Sequence, residues 1–113
     1  MNIQIFGKAN CFDTKKAERY FKERGIKYQF INLKEKGMSK GEFSSVKQAV
    51  GGVEALVDEK SREKELLLLL NYLSTTDKEE KIFENQQILK TPIVRNGKQA
   101  TVGFQPELWK NMT

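Results

Sequence analysis

The sequence predicts an α/β fold with a central mixed four-stranded sheet, in the order β-α-β, a helical insertion, then β-β-α. Three features predict it: two short apolar runs flank an amphipathic helical pattern near the start, the middle is helical, and a hairpin signal lies near the end. With 113 residues, the chain fits a single domain over 1–113. No apolar run approaches the roughly 20 residues of a membrane span, so no membrane partner is expected.

The first elements form a predicted β-α-β unit. Ile3–Phe6 is a short apolar run, and Asp13–Arg24 follows with apolar residues at helical spacing, ending before Gly25. Lys27–Leu33 then alternates as a strand whose two faces are both at least partly covered. Such a unit pairs its strands in parallel through a right-handed crossover.

The middle of the chain, about residues 38–85, is predicted to be a helical insertion. The leucine run Leu66–Leu70 predicts a buried helix over about 61–73, in which a leucine-to-alanine change at position 68 would cost roughly 2–5 kcal/mol. Two capping-box patterns mark further helix starts, Ser39 with Glu42 and Asp77 with Glu80.

The end of the chain returns to strands. Thr91–Arg95 and Lys98–Phe104 are predicted strands, joined by the hairpin signal Asn96-Gly97. A short helix is expected over Gln105–Met112. Alternation puts Ala100, Val102 and Phe104 on one strand face, and Leu108 and Trp109 are expected to pack back onto the sheet.

Cys11 is the only cysteine, and it lies at the predicted turn from strand to helix. Free backbone N–H groups and the positive end of the helix dipole favour a thiolate there. Lys8, Lys15 and Lys16 add positive charge nearby. The alternative is a small buried apolar residue, but the position favours a reactive thiol.

The composition excludes several kinds of site. The chain has no histidine, which removes Cys/His metal sites and Ser-His or Cys-His catalytic pairs, so no metal or bound cofactor is expected. A single cysteine forms no internal disulfide and suits a reducing compartment. No secretion signal is seen at the start. A cytoplasmic protein is therefore expected.

Positive charge is concentrated near Cys11. Residues 1–40 hold ten Lys and Arg against four Asp and Glu, whereas 41–113 hold ten against eleven. One interpretation is an electropositive site that attracts anions. The other, preferred for most of these charges, is a solvated helix face. A net charge of +5 is modest and the aromatic residues lie at core spacings, so direct nucleic-acid binding is not expected.

Three segments stand out together: Ile5–Ala17 with its lone cysteine and a threonine three residues on, Leu89–Val94 with a proline at a strand start, and Asn96–Phe104 as a final hairpin. In order and spacing they resemble the arsenate-reductase-like (ArsC) family, over nearly the full length. The resemblance implies a thioredoxin-like fold. It also implies a cis bond before Pro92, facing the Cys11 loop, where it presents the Thr91 backbone to a thiol-bound partner.

The resemblance further implies a thiol-dependent oxidoreductase. In arsenate reductases of this family the cysteine attacks arsenate, glutathione resolves the adduct, and glutaredoxin releases the product. Cys11 and Thr14 would be catalytic, with glutathione as co-substrate; the Thr14 hydroxyl would stabilise the thiolate, or else serve as a plain helix cap. The substrate-binding residues would be Lys8, Lys60, Lys90, Thr91 and Pro92.

The chain departs from the family at the three arginines that hold the oxyanion, for which a guanidinium fork is well suited. The matching positions are Lys60, with Arg62 close by, then Thr91 preceded by Lys90, and finally 103–105, which has no arginine. This departure argues against arsenate reduction. Lys60, Arg62, Lys90 and Arg95 are the candidates to substitute.

Two other roles are open. The Spx-type transcription regulators belong to the same family and bind an RNA polymerase subunit, and many carry a Cys-x-x-Cys redox switch. Thr14 stands where the second cysteine of that switch would be. The remaining role is a family member without catalysis. A monomer is expected in each case.

Overall fold

The structure is a computed structural model that describes residues 2–113. Its strands and helices follow the predicted order, with two 3₁₀ turns at Val53–Leu56 and Gln86–Ile88. The strands are β1 (Ile3–Gly7), β2 (Tyr28–Asn32), β3 (Ile93–Asn96) and β4 (Gln99–Val102); the helices are α1 (Phe12–Glu23), α2 (Lys40–Val50), α3 (Lys64–Leu70), α4 (Thr75–Glu84) and α5 (Pro106–Trp109). Across the range described, no helix has both the length and the apolar character needed to cross a membrane.

The four strands form the predicted mixed sheet, in the order β2-β1-β3-β4. β1 pairs in parallel with β2 and antiparallel with β3, so that Ile5 lies between Phe30 and Val94. Every residue of β1 is buried because helices cover both faces of the central strands. At the edge, β2 buries Ile31 but leaves Phe30 37% exposed.

Two apolar clusters lie on opposite faces of the sheet, because successive side chains of a strand point to opposite sides. Ile5 belongs to what we call the Trp109 cluster, beneath α1 and α5. Phe6, the next residue, belongs to the insertion cluster, beneath the helices of the insertion. The Trp109 indole N–H donates to the Thr101 hydroxyl at 2.7 Å, which satisfies its only polar atom.

The end of the chain differs from the prediction in one respect. Ala100 and Val102 pack against the insertion cluster, whereas Phe104 packs against the Trp109 cluster. β4 ends before Phe104, and Gly103 turns the chain with a φ of +82°. Of the two helix residues expected to pack back, Trp109 is fully buried and Leu108 is half exposed.

The predicted buried leucine helix is only partly buried. α3 spans Lys64–Leu70, and within it Leu70 is buried while Leu68 is 61% and Leu69 41% exposed. The reason is geometric, since a helix on the surface turns only one face to the core and consecutive residues point around its circumference.

The two predicted capping boxes have different outcomes. At α2 the box is complete, since the Glu42 N–H donates to Ser39 Oγ at 3.2 Å and the Ser39 N–H donates to Glu42 Oε1 at 2.9 Å. At α4 the prediction was wrong: Ser74 is the N-cap and accepts from the Asp77 N–H at 3.2 Å. Asp77 lies inside the first turn, where its negative charge interacts favourably with the positive end of the helix dipole.

Candidate active site around Cys11

Cys11 occupies the N-cap of α1, directly after the turn that follows β1. Its backbone is extended, with φ −93° and ψ 118°, and its carbonyl accepts from the Lys15 N–H at 3.3 Å. The side chain is partly exposed, and its Sγ donates to the Thr91 carbonyl oxygen at 3.6 Å. The thiol is therefore open to a partner while one contact fixes its direction.

Thr14 lies one helical turn beyond Cys11, with 1% of its surface exposed. Its hydroxyl oxygen is buried and has no hydrogen-bond partner within residues 2–113. Gly7 permits this close approach of helix to strand, since a Cβ there would lie 2.4 Å from Thr14 Cγ2. The hydroxyl proton is thus free to be donated to a thiolate at Cys11.

The pKa of the Cys11 thiol is lowered. Burial raises it, but groups that can donate to the thiolate outweigh burial: the Thr14 and Thr91 side chains and the backbone N–H groups of Thr14 and Asp13. The N–H groups at the start of α1 thus lower the pKa of the thiol, as the position of Cys11 in the sequence predicts. Lys15 is exposed, and Lys16 lies 4.3 Å from the centre of the Phe104 ring.

The peptide bond between Thr91 and Pro92 is cis, as predicted. Pro92 is buried, and its carbonyl oxygen accepts from the Gly103 N–H at 2.8 Å. This arrangement holds the Thr91 carbonyl beside the thiol, so the backbone next to Pro92 forms one wall of the site.

Lys8 does not line the cleft next to Cys11, although it was predicted to bind substrate. Its ammonium donates to the Gln87 carbonyl at 2.7 Å and to the Leu89 carbonyl at 3.1 Å. Burial lowers the pKa of Lys8, partly offset by the charges of Asp58 and Cys11. Lys8 therefore joins the thiol loop to the segment that precedes the cis proline.

A cleft of about 630 Å³ opens beside Cys11. Among the predicted substrate-binding residues, Lys60, Lys90 and Thr91 line it. They come together because the chain at 56–58 runs antiparallel to 88–90, with an isolated bridge between Val57 and Leu89. The Lys90 N–H donates to the Leu56 carbonyl at 2.7 Å within this pairing.

Sequence reasoning missed the acidic character of this cleft. Four carboxylates and two lysines line the cleft. The surroundings of the thiol are therefore not electropositive, contrary to one interpretation of the sequence. Finding this pattern would have required the pairing of 56–58 with 88–90, for which the sequence holds no local signal. The carboxylates belong to Asp13, Glu54, Asp58 and Glu59.

None of the chain's arginines, all within the range described, lines the cleft. Arg95 instead donates to the side chains of Gln4 and Ser45. Arg24 stacks 3.7 Å above the Tyr20 ring, while Arg19 and Arg62 are exposed. No group of three or more His, Cys, Asp or Glu side chains within 2–113 is arranged to hold a metal ion.

The chain resembles several known proteins. It is 31% identical over 109 residues to the global transcriptional regulator Spx 2 of Oceanobacillus iheyensis, covering 95% of this chain and 80% of that protein. Its fold matches an ArsC family related protein from Bacteroides fragilis (TM-score 0.86, 20% identity) and an arsenate reductase from Vibrio cholerae (TM-score 0.82, 23% identity), each over 100% of this chain and 98% of the other. The thioredoxin-like fold is thus confirmed.

The ArsC family model matches residues 6–112, which include the Cys11 loop, the insertion and the final hairpin. The chain therefore belongs to the ArsC family.

Proposed function

We propose that the chain is a thiol-dependent oxidoreductase in which Cys11 exchanges disulfides with an external thiol such as glutathione. The observation that carries this proposal is the thiol itself: a partly exposed cysteine at a helix start, beside the backbone next to a cis proline, with a lowered pKa. The thiolate is the nucleophile in disulfide exchange, so each of these features favours reaction.

The reaction has two steps because the protein has no second cysteine. The Cys11 thiolate attacks the glutathione sulfur of a glutathionylated substrate; the Cys11–glutathione disulfide forms, and the substrate sulfur leaves as a thiolate that takes a proton from water. A second glutathione thiolate then attacks the mixed disulfide, which forms oxidised glutathione and restores the Cys11 thiolate. In total, the glutathionylated substrate and one glutathione thiol give the substrate thiol and oxidised glutathione, so a single glutathione thiol is oxidised in each turnover.

Arsenate is a poor substrate for this cleft. The cations that line it are Lys60 and Lys90, which lack the planar fork that holds a tetrahedral oxyanion at two points. The carboxylates around them repel an anion. We therefore expect no arsenate reduction, with or without glutaredoxin as a redox partner.

The first test is the rate of iodoacetamide alkylation of Cys11 across pH. We expect the rate to follow a titration below the unperturbed thiol value of about 8.5. The second is turnover of a glutathionylated peptide, which Cys11→Ser should abolish while circular dichroism melts stay close to wild type. A thiol that titrates normally, or full turnover in Cys11→Ser, would contradict the proposal.

A second candidate role is regulation through RNA polymerase, favoured by the 31% identity to the Spx 2 regulator. It predicts binding to a purified RNA polymerase subunit, measured by biolayer interferometry, that Cys11→Ser leaves unchanged. Such binding without glutathione-dependent turnover would favour the regulator; turnover without binding would favour the enzyme.

A further inference from the structure

The turn that carries Cys11 is attached to the segment before Pro92 by the side chain of Lys8. The Lys8 ammonium donates to the Gln87 carbonyl at 2.7 Å and to the Leu89 carbonyl at 3.1 Å. Hydrogen bonds from a charged donor are stronger than those between neutral groups. A single ammonium thus joins two segments that are 79 and 81 positions apart in the chain.

The backbone of Lys8 contacts the cysteine on the other side of the same turn. The Lys8 carbonyl accepts from the Cys11 N–H at 3.1 Å, and the Cys11 thiol contacts the Thr91 carbonyl at 3.6 Å. These contacts form a closed ring, which runs from the Lys8 ammonium through Leu89 to Thr91 and returns through the thiol. The place of Thr91 beside the thiol therefore depends on the two bonds that the ammonium makes.

The segment before Pro92 is also held on a second side. The Ile88 carbonyl, between the two that Lys8 binds, accepts instead from the Asp58 N–H at 2.8 Å. The Lys90 N–H donates to the Leu56 carbonyl at 2.7 Å. This pairing ties the segment to the insertion, whereas Lys8 ties it to the turn that carries the thiol.

The surroundings of Lys8 differ from those of a solvated surface lysine. Its side chain is half-buried, and burial is the main reason why its pKa is lowered. Of the charged groups that face it, Asp58 and Cys11 favour the ammonium and Lys34 opposes it. An ammonium removed from water needs polar groups in exchange, and the two carbonyls provide them.

We propose that Lys8 is a positioning residue for disulfide exchange, whose ammonium holds the segment before Pro92 against the Cys11 turn and so keeps the Thr91 backbone beside the thiol. The proposal rests on the proposed function and adds to it a residue that acts through Thr91 without touching the substrate. Small misplacements of reacting groups slow reactions strongly. Loss of the two bonds should therefore slow attack on a disulfide while the thiol itself stays reactive.

The test compares two reactions of the same thiol. In a single turnover without free glutathione, Cys11 bonds to the glutathione sulfur of a glutathionylated peptide, and the peptide sulfur leaves as a thiolate that takes a proton from water. Iodoacetamide alkylation at the same pH measures the thiolate with a small reagent that needs no positioned backbone. The ratio of the two rates cancels any change in thiolate fraction. Lys8→Met keeps the alkyl stem and should lower this ratio roughly tenfold.

Three further variants support the comparison. Lys22→Met removes the same charge from an exposed position on α1 that does not line the cleft, and it should leave the ratio unchanged. Lys8→Arg retains a cationic donor and should recover most of the ratio. If Lys8→Met does not fold, Lys8→Gln takes its place, with a smaller loss. An unchanged ratio in the folded variant would overturn the proposal, because the bonds of Lys8 would then only stabilise the loop.

Amide hydrogen exchange separates this proposal from the proposed function. In Lys8→Met the Lys90 amide should exchange faster relative to that of Ile5, which lies in the central strand. If the wild type releases no peptide thiol, the oxidoreductase is wrong, and faster exchange at Lys90 would still show that Lys8 holds the segment. If the wild type releases the thiol and Lys8→Met changes neither ratio nor exchange, the positioning role is wrong and the oxidoreductase stands.

Discussion

α5 and α3 are both short helices with large apolar side chains, yet α5 buries its tryptophan in the core whereas α3 leaves some of its leucines exposed to solvent. Trp109 of α5 is fully buried, with its ring centre 5.0 Å from that of Tyr20 and 5.2 Å from that of Phe21. Leu68 of α3 keeps 61% of its surface exposed. The buried Trp109 packs against α1, which Cys11 caps at its N-terminus, while the exposed face of α3 adjoins the Cys11 cleft.

The largest loss of stability is expected at Trp109. Trp109→Ala removes a fully buried ring and leaves the Thr101 hydroxyl without its donor, so the free energy of unfolding should fall by about 3–5 kcal/mol. Urea unfolding followed by circular dichroism measures this. If the variant does not fold, Trp109→Phe gives a smaller loss; a loss below about 1 kcal/mol in both would mean that the Trp109 cluster does not stabilise this face.

Two leucines of α3 test the contrast within one helix. Leu70→Ala should cost about 2–5 kcal/mol because the side chain is buried in the insertion cluster. Leu68→Ala should stay within about 0.5 kcal/mol because most of its surface is already in water. The leucine run alone predicts a loss of roughly 2–5 kcal/mol for Leu68→Ala, and the exposure of Leu68 lowers that expectation. Equal losses of stability for the two variants would show that Leu68 is buried in solution as Leu70 is.

Helix caps should have smaller effects. Ser39→Ala removes a complete capping box at α2 and Ser74→Ala a single cap bond at α4, so each should cost about 1 kcal/mol, the first more than the second. Ser44→Ala, at an exposed position within α2, is the control. A Ser74→Ala variant as stable as wild type would argue that α4 does not begin at this cap.

The smallest change in stability is expected for a substitution at Thr14, next to the thiol, although the titration of Cys11 should change clearly. Thr14→Val keeps the shape and removes a buried hydroxyl that has no partner beside the neutral thiol, so stability below the thiol pKa should be unchanged or slightly higher. The pKa of Cys11 should rise, because the hydroxyl no longer stabilises the thiolate. Iodoacetamide alkylation across pH measures the shift.

The sign of the pH dependence follows from the same contact. Because the folded pKa of Cys11 is below its unfolded value, the thiolate adds stability above the unfolded pKa, and this is lost as pH falls through the folded pKa. Wild type should therefore gain stability over Thr14→Val as pH rises through that window, in urea melts at matched ionic strength. A constant difference would mean that Thr14 does not contact the thiolate.

Much of the fold follows from local patterns. The apolar run of β1, the helical spacing of apolar residues in α1 and the turn residues Asn96-Gly97 each predict their own element. Each signal depends only on residues that are close together in the sequence. The thiol position follows too, since Cys11 directly precedes the helix. Family resemblance, rather than any local signal, predicted the cis bond before Pro92, because the trans form is the usual state in isolation.

By itself, then, the sequence determined the order of strands and helices, the lone thiol at the start of α1 and the capping box at Ser39, all of which depend on residues a few positions apart. Only the tertiary structure decided which leucines of α3 are buried, that Lys8 bonds to the segment before Pro92, and that carboxylates outnumber lysines around Cys11. These depend on contacts between segments far apart in the chain, where burial and charge are set by whichever residues the fold brings together.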